Sequence, residues 1–209
     1  MFDTATIIVF LSSCLLISVS PGPFTVYVLS RSIGQGARSG MLASLGGALA
    51  TLVHTVAAAF GLAALLMSSA LAFDLVKYAG AAYLLYLGVR SLRSKTEAIS
   101  VTTSASLTMD QVFYQSFVTG LLNPKVALFF LSYLPQFVNP KQGSAAVQII
   151  MLGSLLNLIG TLWFIVLAAG SGWLGDWLKG NPRYLAFQKW LTGLTLVTLG
   201  VNAALSKRE

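Results

Sequence analysis

The sequence predicts an all-α integral membrane protein: six transmembrane helices, arranged as two inverted three-helix repeats, with the first and fourth helices broken at proline. Three observations lead to this prediction. Of the 209 residues, 56% are hydrophobic and only 9% are charged, whereas soluble domains carry about 25% charged residues. Two long apolar segments, one in each half, are interrupted at prolines. A stretch late in the first half also matches a stretch late in the second half.

The predicted helices are apolar segments long enough to cross a bilayer, which takes about 20 residues. They lie at Thr4–Arg31, Gly40–Ser69, Phe73–Arg93, Asp110–Phe137, Gly143–Ser171 and Leu185–Ser206. A polar connection rich in Ser and Thr divides the chain into a first repeat (1–96), a linker (97–109) and a second repeat (110–209). The first apolar run lacks a positively charged leader, so we expect an uncleaved span and no signal peptide there.

The evidence for a repeat is an offset of 112 residues that sets Leu75–Lys95 against Phe187–Lys207. Seven positions are then identical: Lys77/Lys189, Leu84/Leu196, Leu87/Leu199, Gly88/Gly200, Val89/Val201, Ser94/Ser206 and Lys95/Lys207. Because each repeat has an odd number of helices, the second copy must cross the membrane in the opposite direction. The two copies would then be related by a two-fold axis in the membrane plane.

The two breaks have the sequences Ser20-Pro21-Gly22-Pro23 and Asn123-Pro124-Lys125. Proline ends a helix because it has no backbone donor, and it suits the first position of a new helix. Such a gap survives in hydrocarbon only where protein or a water-filled cavity covers it. Single kinks of this kind also serve as packing devices, but paired breaks in matching halves indicate a transporter's substrate site near the midplane.

These features together resemble the LysE/RhtB family of amino-acid exporters. The resemblance rests on Ser-Pro-Gly-Pro near the end of the first apolar segment, Asn-Pro-Lys in the fourth, and the arrangement of the chain in six spans. It covers essentially the whole chain. It implies export of amino acids or their derivatives from the bacterial cytoplasm, driven by the proton gradient, and it leaves the substrate open.

The breaks supply the candidate substrate-binding residues. These are Pro21, Gly22, Pro23, Phe24, Thr25, Asn123, Pro124, Lys125 and Val126. A helix that starts after a break exposes backbone amides without helical partners, and with the helix dipole these form an anion site. We expect Lys125 to bind a substrate carboxylate there, and the carbonyls freed near Val19 or Leu121 to hold the substrate ammonium. The alternative for Lys125 is that it extends toward a membrane interface.

Two further polar residues lie within predicted spans. His54 is the only histidine, and it titrates near neutral pH, which makes it a candidate for proton coupling. It would equally serve as a hydrogen-bonded contact between helices, and Asn157 in the fifth span has the same two interpretations. Other residues are expected to have structural roles. We expect Cys14 to be an inert buried thiol, and Lys77 and Lys189 to be interfacial anchors, as are the tryptophans Trp163, Trp173, Trp177 and Trp190. Small residues spaced by four are expected to form a close-packing face on the second span: Ala43, Gly47, Thr51 and Thr55.

The positions of the acidic residues limit the class of amino acid that the protein is expected to transport. All six lie at or near predicted helix ends or loops: Asp3, Asp74, Glu97, Asp110, Asp176 and Glu209. No buried carboxylate would pair with a cationic side chain, so we expect a neutral amino acid, small or aliphatic, and no metal or other cofactor. A metal-dependent membrane enzyme would need clustered Asp or His, and a thiol reductase would need a second cysteine, so we expect no enzymatic activity.

The basic residues predict the orientation. With the amino terminus outside, eight lie on the cytoplasmic side (Arg31, Arg38, Arg90, Arg93, Lys95, Lys179, Arg183 and Lys189) and four outside (Lys77, Lys141, Lys207 and Arg208), so both termini are expected in the periplasm. This bias and anionic lipid explain the net charge of +7 without nucleic acid. The alternatives to an amino-acid exporter are a membrane scaffold or assembly protein and an exporter of another small anionic or zwitterionic metabolite. A homodimer would be compatible with the sequence.

Overall fold

The computed structural model describes residues 2–62, 70–93, 107–171 and 182–205, and these residues form helices joined by short turns. The helices are α1 (Thr4–Val19), α2 (Pro23–Gln35), α3 (Ala37–Ala57), α4 (Ala70–Arg93), α5 (Met109–Leu121), α6 (Pro124–Leu128), α7 (Ala145–Ala169) and α8 (Pro182–Leu205). Several residues used above lie outside the described ranges: Ser94, Lys95, Glu97, Trp173, Asp176, Trp177, Lys179, Ser206, Lys207, Arg208 and Glu209.

Two of the described helical segments are long and apolar enough to cross a membrane by themselves, Ala37–Gly61 and Ala145–Ala169. Two bent pairs pass the same test when each pair is taken as one span. The first pair, α1 and α2, bends by 56°, and the second, Met109–Leu121 with Pro124–Phe137, bends by 42°. The chain is therefore a multi-pass membrane protein with its bends at the two predicted breaks. The full six-span architecture stays a prediction.

The first break follows from the local sequence. Helix α1 ends at Val19, and α2 begins with Pro23 at its first position. At the start of α2 the side chain of Thr25 accepts a hydrogen bond from the Gly22 amide at 3.2 Å. Helix α2 continues past the predicted end at Arg31, and the chain then turns at Gly36, whose φ of +88° lies in the left-handed region that glycine adopts readily.

The segment after the second break differs from the prediction of a regular α-helix to Phe137. Helix α6 ends at Leu128 and is followed by a π-helical turn, Phe129–Tyr133, and a 3₁₀ turn, Leu134–Phe137. Pro135 explains part of the change, because it has no N–H to donate to a carbonyl four residues earlier. π-helical turns occur frequently at functional sites, and this one begins with Phe129, which lines the cavity described below.

Helix α3 packs between α5 and α7 through small residues. A Cβ atom added to Gly120 of α5 would lie 2.9 Å from Cβ of Ala50, and one added to Gly153 of α7 would lie 2.5 Å from a methyl group of Thr55. Ala43 and Thr55, at opposite ends of the predicted packing face, are buried. The backbones therefore approach closely here, as small residues allow in membrane helices.

Helices α4 and α8 pack against each other with paired glycine contacts. A Cβ on Gly88 would lie 2.7 Å from Cγ2 of Val197, and a Cβ on Gly200 would lie 2.9 Å from Cγ of Leu85. The repeat offset of 112 residues relates Gly88 to Gly200 and Leu85 to Val197, so it exchanges the two contacts. As the α4 position moves back by three residues, the α8 position moves forward by three, so the two helices run antiparallel.

The predicted anchors differ in their surroundings. Lys77 is buried in α4, with only 6% of its surface exposed, and its ammonium lies 5.0 Å from the centre of the Tyr78 ring. Lys77 is therefore packed within the protein, and its role as an interfacial anchor stays a prediction. Lys189 and Trp163 are half-buried and Trp190 is exposed. Cys14 is fully buried among apolar residues, as predicted.

Candidate functional site

The two helix breaks lie against each other, joined by Lys125. Its ammonium donates hydrogen bonds to the backbone carbonyls of Ile17 at 2.9 Å and Ser20 at 2.5 Å. In a continuous helix the Ile17 carbonyl would accept from residue 21, but Pro21 has no N–H to donate. Lys125 is buried, with 9% of its surface exposed, so the second break supplies the donor that the first break lacks.

The start of α6 positions Lys125. The side chain of Asn123 accepts a hydrogen bond from the Lys125 amide at 3.1 Å, and Pro124 occupies the first helical position. Asparagine is among the preferred residues for this N-cap role, and Asn123 is itself buried. The cap and the proline therefore fix the direction in which the lysine leaves the backbone.

The chain contains the same tripeptide a second time, at Asn139-Pro140-Lys141. Asn139 accepts a hydrogen bond from the Lys141 amide at 3.0 Å, in the same geometry as Asn123. Lys141, however, is exposed. The tripeptide alone therefore specifies a turn that starts a helix, and the contact with α1 is what distinguishes Lys125.

His54 lies beside the second break. Its ring is near the backbone of Gly120 and Leu121, the last residues of α5. The ring stacks on Phe130 with 5.9 Å between centroids and 21° between planes. The Nε2 atom is buried and has no hydrogen-bond partner among the described residues. Each break therefore has a basic side chain from another element beside it, Lys125 at the first break and His54 at the second.

A cavity lies between the two breaks and extends along α3 and α7. The space between its atoms is about 640 Å³, its open mouth included. Its walls are mostly apolar or small, with a few polar groups. The lining residues are Ile17, Ser18, Gly22, Phe24, Thr25, Ser44, Gly47, Ala48, Thr51, Gly120, Asn123, Lys125, Val126, Phe129, Leu156, Asn157, Gly160, Thr161 and Phe164.

Most of the candidate residues from the sequence reach this cavity. The lining includes Gly22, Phe24, Thr25, Asn123, Lys125, Val126 and Asn157. Pro21, Pro23, Pro124 and His54 are not part of it. Pro21 contributes through its carbonyl, which accepts a hydrogen bond from the hydroxyl of Thr192 in α8 at 3.1 Å.

At the first break, two freed carbonyls are engaged by the protein itself, because those of Ile17 and Ser20 accept from Lys125. A role for the carbonyls near Val19 or Leu121 in holding the substrate ammonium stays a prediction. The uncharged polar side chains of the cavity are further candidates for that role. Among them, the Thr161 hydroxyl donates to the Asn157 side-chain oxygen at 3.4 Å.

Helix α7 contributes a part of the cavity that was not predicted from the sequence. Only Asn157 was singled out there, whereas the lining also includes Leu156, Gly160, Thr161 and Phe164. These positions share one face of a helix, because residues three or four apart lie above one another. That periodicity around Asn157 is the signal that could have identified them.

No Asp or Glu belongs to the cavity lining. Within the described ranges, no three His, Cys, Asp or Glu side chains lie close enough together to hold a metal ion. Lys125 is the basic side chain of the cavity lining, and no acidic side chain of the lining faces it. The arrangement therefore suits a ligand with one negative group and an uncharged side chain.

Comparison with known proteins gives a consistent result. The family model of the LysE type translocator matches residues 15–207. An uncharacterized membrane protein of Bacillus subtilis, YrhP, is 33% identical over 90% of this chain and 93% of its own. A leucine efflux protein of an Enterobacter strain is 31% identical over 88% of both chains, and the leucine efflux protein of Salmonella typhimurium is 26% identical over 93% of this chain and 92% of its own. No solved structure matches the chain.

Proposed function

The chain belongs to the LysE type translocator family, and we propose that it exports a neutral amino acid, small or aliphatic, or a derivative of one, across the bacterial inner membrane. The observation that carries this proposal is the contact of Lys125 with the carbonyls of Ile17 and Ser20 at the edge of a cavity between two broken helices. The family and the efflux relatives identify the chain as a transporter rather than an enzyme.

In this mechanism the substrate carboxylate approaches Lys125 and the amino end of α2. A hydrogen bond between two charged groups is about twice as strong as one between neutral groups, so a carboxylate competes well with the two neutral carbonyls. The substrate ammonium then lies against Asn123, Asn157 or Thr161, which line the same cavity. When the substrate leaves, Lys125 returns to the carbonyls, which restores the empty site.

The proposed architecture is a six-helix inverted repeat that alternates between inward-open and outward-open states. The antiparallel packing of α4 on α8 supports it, because the Gly88–Val197 and Gly200–Leu85 contacts are exchanged by the 112-residue offset. A two-fold axis between two copies produces this kind of reciprocal contact. Rocking of one repeat against the other around the breaks would expose the cavity to each side in turn.

We propose proton antiport as the coupling, with His54 as the proton carrier. It lies beside the last residues of α5, next to the second break, and its Nε2 atom is buried without a hydrogen-bond partner in the described part of the chain. Loss or gain of a proton on that ring would change how it holds the end of α5. Both termini are proposed to lie in the periplasm, from the distribution of basic residues near the spans.

A neutral substrate is favoured by the charges around the cavity. A cationic side chain would find Lys125 and no carboxylate among the lining residues. The uncompensated like charge would cost free energy in this low-dielectric setting. The relatives named as leucine efflux proteins are compatible with an aliphatic side chain.

Reconstitution tests this proposal. The purified protein is placed in liposomes loaded with labelled leucine, alanine or arginine, and efflux is followed with and without an imposed pH gradient. We expect the gradient to accelerate efflux of leucine or alanine, and a protonophore to remove the acceleration. Protein-free liposomes are the control. Absence of efflux for every amino acid would contradict the proposal and favour a scaffold role, whereas strong and selective competition by arginine would contradict a neutral substrate.

A further inference from the structure

We infer that Gly160 sets the size limit for the side chain of the exported amino acid, and that the space beside Gly160 receives this side chain. This inference rests on the proposed function and assigns its substrate class as branched aliphatic amino acids. It is carried by a comparison of the glycines that line the cavity, which are Gly22, Gly47, Gly120 and Gly160.

Two of these glycines are explained by packing. A Cβ on Gly47 would lie 2.1 Å from Cζ of Phe24, and a Cβ on Gly120 would lie 2.9 Å from Cβ of Ala50. Real Cβ atoms do not approach other atoms this closely without a shift of their surroundings. At these positions glycine is required so that a neighbouring ring or helix can approach.

Gly160 has no such requirement. A Cβ there would meet one heavy atom within 4 Å, the hydroxyl oxygen of Ser18 at 3.5 Å, which is an ordinary van der Waals contact. Gly160 also lies inside α7 (Ala145–Ala169), where glycine is the poorest helix former after proline. Neither packing nor helix formation accounts for glycine here, and the unused space opens on the cavity.

The surroundings of Gly160 are those of an apolar subsite. Leu156 and Phe164 lie one turn before and after it on the same face of α7, and both line the cavity. The Phe164 ring packs edge-on against Phe24 with 4.9 Å between centroids, which closes one side. A branched aliphatic side chain would contact Leu156 and Phe164 while Gly160 forms the floor.

The adjacent polar residues orient the substrate. Asn157 lies three residues before Gly160 and Thr161 directly follows it, and both line the cavity. The polar end of the substrate would therefore lie next to the apolar subsite that holds its side chain. Gly22 is the fourth lining glycine, and a Cβ there would lie 3.5 Å from the ammonium of Lys125. It therefore borders the charged end of the cavity, whereas Gly160 borders the apolar end.

Substitution of Gly160 by alanine tests this inference. The full chain is reconstituted, and efflux of leucine and of alanine is measured in parallel for the wild type and for Gly160→Ala. We expect the leucine-to-alanine ratio to fall by about tenfold or more, because one methyl group in an apolar pocket changes discrimination by about 10–200-fold. Gly160→Ser adds a side chain of similar size and should also lower the leucine-to-alanine ratio. It provides a second, independent variant in case Gly160→Ala does not fold.

Gly34→Ala is the matched control. Gly34 is an exposed helical glycine outside the cavity lining, and nothing lies within 4 Å of an added Cβ. The leucine-to-alanine efflux ratio of Gly34→Ala should equal that of the wild type. A wild-type ratio in both Gly160 variants would overturn the inference while leaving export intact. No export of any amino acid by the wild type would overturn the proposed function, and the inference with it.

Discussion

The ammonium of Lys125 donates a hydrogen bond to the backbone carbonyl of Ser20, which lies 105 residues earlier in the chain. This one contact joins the two helix breaks, because Ser20 directly follows α1 and Lys125 lies in the first turn of α6. A buried charge is stabilised only when it is paired or well hydrogen-bonded. The empty site therefore keeps its lysine satisfied with backbone carbonyls, and a substrate carboxylate must exchange with them.

Asn123 should support both stability and transport through its cap. Asn123→Ala removes the side-chain acceptor for the Lys125 amide, and the loss of such a cap costs about 1 kcal/mol. We expect a lower thermal midpoint in detergent together with slower leucine efflux, because Lys125 loses its fixed direction. Asn139→Ala removes the same cap from the exposed copy of the tripeptide. It should lower the midpoint similarly and leave efflux unchanged, and equal effects of the two variants on efflux would contradict this role.

His54 should affect coupling more than substrate binding. His54→Gln preserves a hydrogen-bonding side chain beside Gly120 and Leu121 but removes the imidazole that is proposed to carry the proton. We expect leucine exchange without a gradient to persist while the acceleration by a pH gradient disappears. A variant that keeps the full acceleration would exclude His54 as the proton carrier. Parallel loss of exchange and thermal stability would indicate a structural contact between helices instead.

The inverted topology should place Arg38 and Lys141 on opposite sides of the membrane. Arg38 is exposed in the first turn of α3, just after the first broken helix, and Lys141 is exposed in the turn that follows the second broken helix. We expect a membrane-impermeant thiol reagent to label Lys141→Cys in intact cells and Arg38→Cys only after permeabilisation. Cys14 is fully buried and serves as the unlabelled background. Labelling of both positions from the same side would contradict the inverted repeat.

The sequence predicted the positions of the breaks well because proline acts locally. Pro23 and Pro124 remove a backbone donor wherever they stand, so the ends of α1 and α5 could be placed within a few residues. The π-helical turn at Phe129–Tyr133 could not be predicted in this way. A π turn reflects how the segment packs against its neighbours, and the sequence pattern around it resembles an ordinary apolar helix.

The groups that donate hydrogen bonds to the freed carbonyls could not be predicted from the sequence, for a related reason. The absence of an N–H on Pro21 frees the Ile17 carbonyl, and that is local information. Which group then approaches the carbonyl depends on the distance between segments far apart in the chain. Lys125 could equally have faced the cavity alone, and only the packing of α6 against α1 places its ammonium at 2.9 Å from Ile17.

A comparison of Lys125→Met with Lys141→Met in reconstituted leucine efflux tests most directly whether Lys125 forms part of the substrate site. The two lysines follow the same Asn-Pro dipeptide, but one joins the breaks and the other is exposed. Methionine preserves length and apolar volume without the charge, so both variants should insert into membranes in wild-type amounts. A hydrogen bond to a charged group contributes about 1.5–3 kcal/mol, so we expect Lys125→Met to lose efflux by about tenfold or more, with Lys141→Met unchanged. Wild-type efflux from Lys125→Met would contradict a substrate site built on this lysine.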